Sequence, residues 1–304
     1  MDNLTHTLAG VAISRLGLDR RVGGATLTLA LASNAPDLDI VSGFWGRASY
    51  LEHHRALSHA FPVSPLLAAS LALVLVHWPG SQRRFLPTFL IAWLGVALHI
   101  VADLWTSYGT RVFLPFDATW YSLDWIFIAD PLLLVLLLAA GFGARSLARP
   151  RLGRWAMASV LLYIGVRAGA HGMAQGQAQS LAGSEFTLVR ALPDPLNLNR
   201  WRFIASSDEA FATGYVPAYG ASRSKVAFPR VPPDALARRV AKESHAARVF
   251  LDFSAFPRFE SRKEGDLTVI IWRDLRFADR RADGFLCEVK VDAALKIVSE
   301  RIVF

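Results

Sequence analysis

Between Phe85 and Trp105 the chain carries only two ionisable side chains, His99 and Asp103, in a stretch long enough to cross a bilayer. An ionisable residue inside an apolar span costs roughly 2.5–3.5 kcal/mol on insertion scales, so such a group faces a cavity, a partner or an ion. A separation of four residues puts both on one helix face, about 6 Å apart along the axis. There an imidazole and a carboxylate can share one metal. Three more polar clusters flank apolar segments in the same half of the chain: His6, Asp37 with Asp39, and His53, His54 and His59. The sequence therefore asks whether these groups meet.

Charge is spread unevenly. Residues Ala60–Gly143 hold seven charged side chains in 84, whereas Glu185–Phe304 hold 36 in 120. The break predicts a polytopic α-helical membrane domain over residues 1–175, followed by a smaller soluble α+β domain over 185–304 with a mainly antiparallel sheet. The small-residue stretch Ala168–Gly183 reads as a flexible joint. Four segments reach or approach spanning length: Ala60–Trp78, Phe85–Trp105, Ile126–Gly143 and Trp155–Met173. Two shorter apolar helices, Leu4–Leu18 and Ala25–Ser33, are expected to form a hairpin that returns Asp37 to the side of His6.

Arginines set the expected orientation. Arg83 and Arg84 in one loop, and Arg145, Arg149, Arg151 and Arg154 in another, place both loops in the cytoplasm. The Asp37–His59 region, the end of the His99/Asp103 helix and the Trp105–Trp125 loop then share the opposite face of a bacterial inner membrane. No cleavable signal peptide is expected, because MDNLTHTLAG lacks a basic start. Arginines dominate the net charge of +8, and several of them flank apolar spans. With no aromatic RNA-stacking motif, nucleic acid is not an expected partner. One cysteine, Cys287, excludes an intrachain disulfide and a cysteine-based zinc site.

Beyond Glu185 the pattern shortens to strands, read at Phe186–Ala191, Arg200–Ser206, Arg248–Phe253, Leu267–Asp274, Phe285–Asp292 and Lys296–Phe304. Asp234–Ala247 reads as a helix opened by Pro232, Pro233 and an Asp234 cap.

The candidate chemistry lies upstream. Pro36 places Asp37 and Asp39 at a helix end or in a turn. Taken alone they could simply be a polar turn. His54 and His59 would lie about 140° apart on a helix, so joint ligation requires a bend, and Pro62 is close enough to make one. Arg55 could hold a phosphate or carboxylate in bidentate fashion, or only snorkel. His99 with Asp103 could equally be a helix-gluing hydrogen bond. Asp124 and Asp130 flank the next span and are supporting candidates. His77, His171 and His245 are set apart from the rest.

Together His6, Asp37, His54, His59, His99 and Asp103 offer nitrogen and oxygen ligands without thiolate. That set suits zinc, as one or two ions, with manganese an option. Such a site lowers the pKa of bound water toward about 7. A second metal or Arg55 would stabilise an anionic transition state, and Asp39 or Asp130 would act as base or orient a ligand histidine. No G-x-S-x-G elbow and no nucleotide-binding glycine run is present.

These motifs bear a family resemblance. Thr5-His6-Thr7-Leu8-Ala9-Gly10, Pro36-Asp37-Leu38-Asp39, His54-Arg55-Ala56-Leu57-Ser58-His59 and His99-Ile100-Val101-Ala102-Asp103-Leu104-Trp105-Thr106-Ser107-Tyr108-Gly109-Thr110 resemble, in order and flanking spans, the YdjM-like inner-membrane proteins. The likeness covers about residues 1–140. It implies a membrane-bound hydrolase using a divalent metal, with His6, Asp37, His54, His59, His99 and Asp103 at the matching positions. Ala56 departs from the pattern, where glycine is expected, and leaves the ligand set intact.

The leading expectation is a membrane hydrolase in which a metal-activated water attacks an ester or phosphoester, with membrane lipid and a small-molecule or lipid-like substrate as partners. Two other readings predict different behaviour. A metal or proton transporter would show ligand-dependent flux without hydrolysis, and a membrane scaffold would tolerate loss of every histidine named.

Overall fold

A computed structural model describes residues 1–143, 150–221, 223–278 and 284–304. Arg145 and Arg149, on which the expected orientation partly rests, lie outside the described residues. Two compact units are present, and each draws on separated stretches of chain. The first comprises Met1–Asp39, Arg55–Gly172 and Pro193–Asn199; the second comprises Ile40–His54, Met173–Leu192 and Arg200–Phe304.

The first unit is helical. Helix α1 (Asn3–Ile13) is capped by Asp2, whose carboxylate accepts the Thr5 N–H at 3.0 Å. A π turn and a three-residue helix, α2 (Asp19–Arg21), lead into α3 (Ala25–Ala32). The expected apolar hairpin is therefore formed by α1 and α3, which pack on each other. Helix α4 (Arg47–His53) belongs to the second unit. Helices α5 (Ser64–Val76) and α6 (Phe85–Leu104) are an apolar pair packed on each other, with Ala68, Ala92, Val96 and Ile100 in the shared core. Helix α7 (Pro131–Leu138) continues as a π segment to Gly143, and α8 spans Pro150–Ala182.

Among the described residues, α6 is the one helix long and apolar enough to cross a membrane. A second span arises only if the bent pair Arg47–His59 and Ser64–Val76 counts as one. The four expected spans exceed what these helices supply, for local reasons. Pro62 and Pro65 delay α5 until Ser64 and leave it 13 residues long. Pro131 opens α7, and its α-helical part ends after eight residues. The weakest expected span falls inside the 33-residue α8, where Arg167 is fully buried and donates to the Trp125 carbonyl at 3.1 Å.

Small residues let the helices approach. A Cβ on Gly10 would stand 2.8 Å from the Leu29 carbonyl oxygen of α3, and one on Gly95 of α6 would stand 2.7 Å from Ala32 Cβ. Gly95→Val is therefore expected to push α3 away from α6, at a cost of about 1–3 kcal/mol for overpacking. Chemical denaturation of the purified variant checks this, and a stability equal to the parent's would contradict it.

The second unit holds two four-stranded antiparallel meanders instead of the single sheet expected. One contains β1 (Leu188–Pro193), β2 (Arg200–Ser206), β3 (Ala210–Pro217) and β4 (Ser224–Pro229), in that order. The other contains β5 (Pro257–Glu264), β6 (Leu267–Asp274), β7 (Leu286–Val291) and β8 (Ile297–Val303). Strands β3, β4 and β5 escaped the sequence reading because β4 is exposed and β5 is largely charged.

Between the sheets in sequence lie α9 (Ala235–Glu243) and α10 (His245–Phe253). The strand expected at Arg248–Phe253 is thus helix. Ser244 accepts the Ala247 N–H at 3.0 Å as an N-cap, and Ala246, Val249, Phe250 and Phe253 recur at helical spacing on the buried face. The joint expected at Ala168–Gly183 is also helical, lying in α8 as far as Ala182. Its alanines at 174, 178 and 182 are fully buried at four-residue spacing, so packing on that face overrides the glycines between them. Cys287 is buried in β7, where burial pushes its thiol up to about 12, as expected for a core residue.

Candidate metal centre

The last turns of α6 bring His99 and Asp103 onto one face, both buried. Three other segments meet them. Ser33 ends α3; Asp37 stands at the start of the 3₁₀ helix Pro36–Trp45; His59 ends a single 3₁₀ turn, Leu57–His59. Pro36 stops α3 from continuing, so the chain turns and Asp37 faces back toward α6.

Asp37, His59, His99 and Asp103 form one buried group that could hold a metal ion. His59 Nε2 lies 3.0 Å from His99 Nε2, 3.3 Å from Asp37 Oδ1 and 3.4 Å from Asp103 Oδ2. His99 Nε2 lies 3.6 Å from Asp37 Oδ1 and 3.5 Å from Asp103 Oδ2. Ligands 2.0–2.1 Å from a four-coordinate ion stand about 3.3 Å apart, so these five separations match one ion at the centre.

Hydrogen bonding on the far side of each ring supports the same fit. His99 Nδ1 meets the Ser33 carbonyl at 2.7 Å, an acceptor, so Nδ1 carries the proton and donates. His59 Nδ1 meets Ser58 Oγ at 2.9 Å and Asp39 Oδ2 at 3.3 Å. Ser58 Oγ donates to Asp39 Oδ2 at 2.7 Å, so toward His59 it accepts and Nδ1 again carries the proton. With a proton on each Nδ1, the two Nε2 atoms face each other at 3.0 Å, a contact that a cation between them, whether a proton or a metal ion, makes favourable. Asp103 Oδ2, also buried, accepts no hydrogen bond.

Asp39 and the Ser33 carbonyl thus orient the two imidazoles, as outer partners of metal-bound histidines do. Asp39→Asn is expected to lower divalent-metal affinity about 10–100-fold by weakening the hold on His59. A metal titration on the purified variant checks this; unchanged affinity would sink the role.

Asp103 is held at its other oxygen. Arg55 Nη2 donates to Oδ1 at 2.9 Å, the Met1 amino nitrogen contacts the same oxygen, and His6 Nε2 lies 3.3 Å away. Arg55 also donates to Thr106 Oγ1 at 3.0 Å and lies over the Tyr108 ring. Its backbone N–H donates to Asp39 Oδ2 at 3.1 Å, and its φ of +60° is a left-handed conformation that this web of contacts holds in place. His6 stacks on His99, ring centroids 3.7 Å apart, and its buried Nε2 makes no hydrogen bond.

His54 and Asp130 have partners of their own. His54 stacks its ring on Tyr50, centroids 4.7 Å apart, and is not one of the four residues above. Asp130 accepts the Leu133 N–H at 3.0 Å to cap α7 and the Tyr163 hydroxyl at 2.7 Å. Three partners went unnoticed in the sequence. Ser58 and Thr106 sit inside the motifs already singled out, whereas the Ser33 carbonyl, being backbone, leaves no residue-type signal.

The motif resemblance meets an independent comparison at this point. The model of the family described as YdjM inner membrane protein matches residues 1–174. The chain belongs to the YdjM family. That family is named for an inner-membrane protein, which supports a membrane location for this member. A second model, the YfhP C-terminal alpha/beta plait domain, matches residues 237–303, the stretch from α9 through β8. The chain is also 26% identical to "Uncharacterized protein YfhP" of Bacillus subtilis (strain 168), over 98% of this chain and 94% of that protein. No solved structure matches it.

Proposed function

We propose that this YdjM-family protein is a membrane-bound, metal-dependent hydrolase acting on an ester or phosphoester of an amphiphilic substrate. One observation carries the reading: two buried imidazoles turn their Nε2 atoms toward each other at 3.0 Å, with two carboxylates closing the ring around them. A metal ion between them makes that contact favourable. Zinc suits this His₂Asp₂ donor set best, with manganese next.

Asp37, His59, His99 and Asp103 would hold the ion, which supplies Lewis acidity and a water of lowered pKa. Asp39 fixes His59 through Nδ1. Arg55 holds Asp103 Oδ1 and thereby keeps Oδ2 turned into the group. His6 flanks that carboxylate, its Nε2 3.3 Å from Asp103 Oδ1. Asp37 is 11% exposed while the other three side chains are fully buried, so substrate would approach from its side. The extracytoplasmic face is the side we assign to this approach, from the arginine distribution.

The test is a substrate panel on detergent-purified protein, reconstituted with zinc or manganese. Chromogenic carboxylic esters, phosphomonoesters and phosphodiesters are offered beside the His59→Ala variant. Metal-dependent turnover of one class, lost in the variant, supports the proposal. Absence of turnover with every class in metal-loaded protein, or turnover undiminished in the variant, overturns it.

A further inference from the structure

Beside His6 the first unit encloses a cleft of about 100 Å³, or about 600 Å³ when its open mouth is counted. Helices α1, α6, α7 and α8 wall it with Ala9, Ile13, Leu98, Leu137, Val160 and Leu161. Its polar members, Thr5, His6 and Ser33, come from α1 and the end of α3, which flank the metal group through the His6 ring and the Ser33 carbonyl. His6 Nε2 and Ser33 Oγ are both buried without a hydrogen-bond partner. His6 Nε2 is 3.3 Å from Asp103, and the Ser33 carbonyl accepts the His99 Nδ1–H hydrogen bond.

The cleft is lined almost wholly by apolar side chains, yet buried polar atoms left unpaired call for a partner. A molecule with a hydrocarbon chain and an oxygen-bearing end meets both demands at once. We propose that the cleft seats the single hydrocarbon chain of the amphiphile cleaved at the Asp37/His59/His99/Asp103 group, with Ser33 Oγ and His6 Nε2 receiving its polar end. This rests on the hydrolase reading for its catalytic half. The chain-binding half stands on the cleft alone.

Photo-crosslinking of metal-loaded protein with a long-chain alkyl phosphate bearing a terminal diazirine separates the two halves. Labelling is mapped by peptide mass spectrometry and competed with unlabelled alkyl phosphate. Parent protein is compared with Ala9→Phe and Leu161→Trp, which fill the cleft and touch none of the four ligands. Saturable labelling on α7 and α8, reduced about tenfold or more in both filled variants at unchanged metal content, is the expected result. Labelling that does not saturate, or that is equal in the filled variants, overturns the proposal. Long-chain and acetyl esters are then compared as substrates. A filled variant should lose the long-chain ester selectively, and equal loss of both overturns the link to the reaction. If no ester is cleaved at all while labelling is saturable and cleft-dependent, the hydrolase reading fails and the chain site survives.

Discussion

His99→Ala is expected to lose metal retention and turnover while the protein still inserts and folds. The ring makes two kinds of contact. Nε2 faces the other three ligands, and Nδ1 donates to the Ser33 carbonyl at 2.7 Å. Alanine leaves that carbonyl without this donor, a cost of about 1–3 kcal/mol. The seat of α6 depends on other residues, namely Ala92, Val96 and Ile100, all fully buried. Losing an outer partner of a ligand costs about 10–100-fold in metal affinity, so losing the ligand should cost at least about 100-fold. Membrane fractionation, limited proteolysis and a metal titration on one preparation read these effects separately. A folded, inserted His99→Ala protein that binds metal like the parent would remove His99 from the site.

Asp103→Ala should be more damaging to the fold itself. Arg55 is 3% exposed and donates to Asp103 at 2.9 Å. Truncating the carboxylate leaves the buried guanidinium with Thr106 and the Tyr108 ring but without its anion, and breaking one side of a buried pair costs about 3–5 kcal/mol. Removing both partners is milder, because the buried guanidinium goes with its carboxylate. The double variant Arg55→Met/Asp103→Ala should therefore regain part of the stability that Asp103→Ala loses, although it binds no metal. Denaturant titration of the three proteins in detergent gives the comparison. A double variant less stable than Asp103→Ala alone would show that Thr106 and Tyr108 hold Arg55 more strongly than this carboxylate does.

The residues of the metal group were legible because chemistry that is costly in an apolar chain stands out. His99 and Asp103 interrupt α6, and the histidines near residue 54 crowd a short stretch. Helical spacing alone would set His54 and His59 about 140° apart, and the bend that joint ligation requires is present: α4 ends at His53, and a separate 3₁₀ turn carries His59. The contributions of Ser33 and Ser58 depend on where chain segments end in space, which composition does not encode.

In the fold, the division into a helical N-terminal part and a charged, strand-rich C-terminal part followed from charge density. The count of spanning helices did not follow. Apolar length alone ignores where Pro62, Pro65 and Pro131 interrupt the helices. Local alternation likewise misled at Arg248–Phe253, where the Ser244 cap and a buried face at helical spacing decide for helix.

Metal content tests the central claim most directly. Inductively coupled plasma mass spectrometry on detergent-purified protein, beside a His99→Ala/Asp103→Ala variant shown to be folded, gives the stoichiometry. The account predicts about one or two zinc or manganese ions per chain in the parent and none in the variant. A parent protein without stoichiometric metal, even after reconstitution, would contradict it and leave the buried His/Asp group as a helix-packing network.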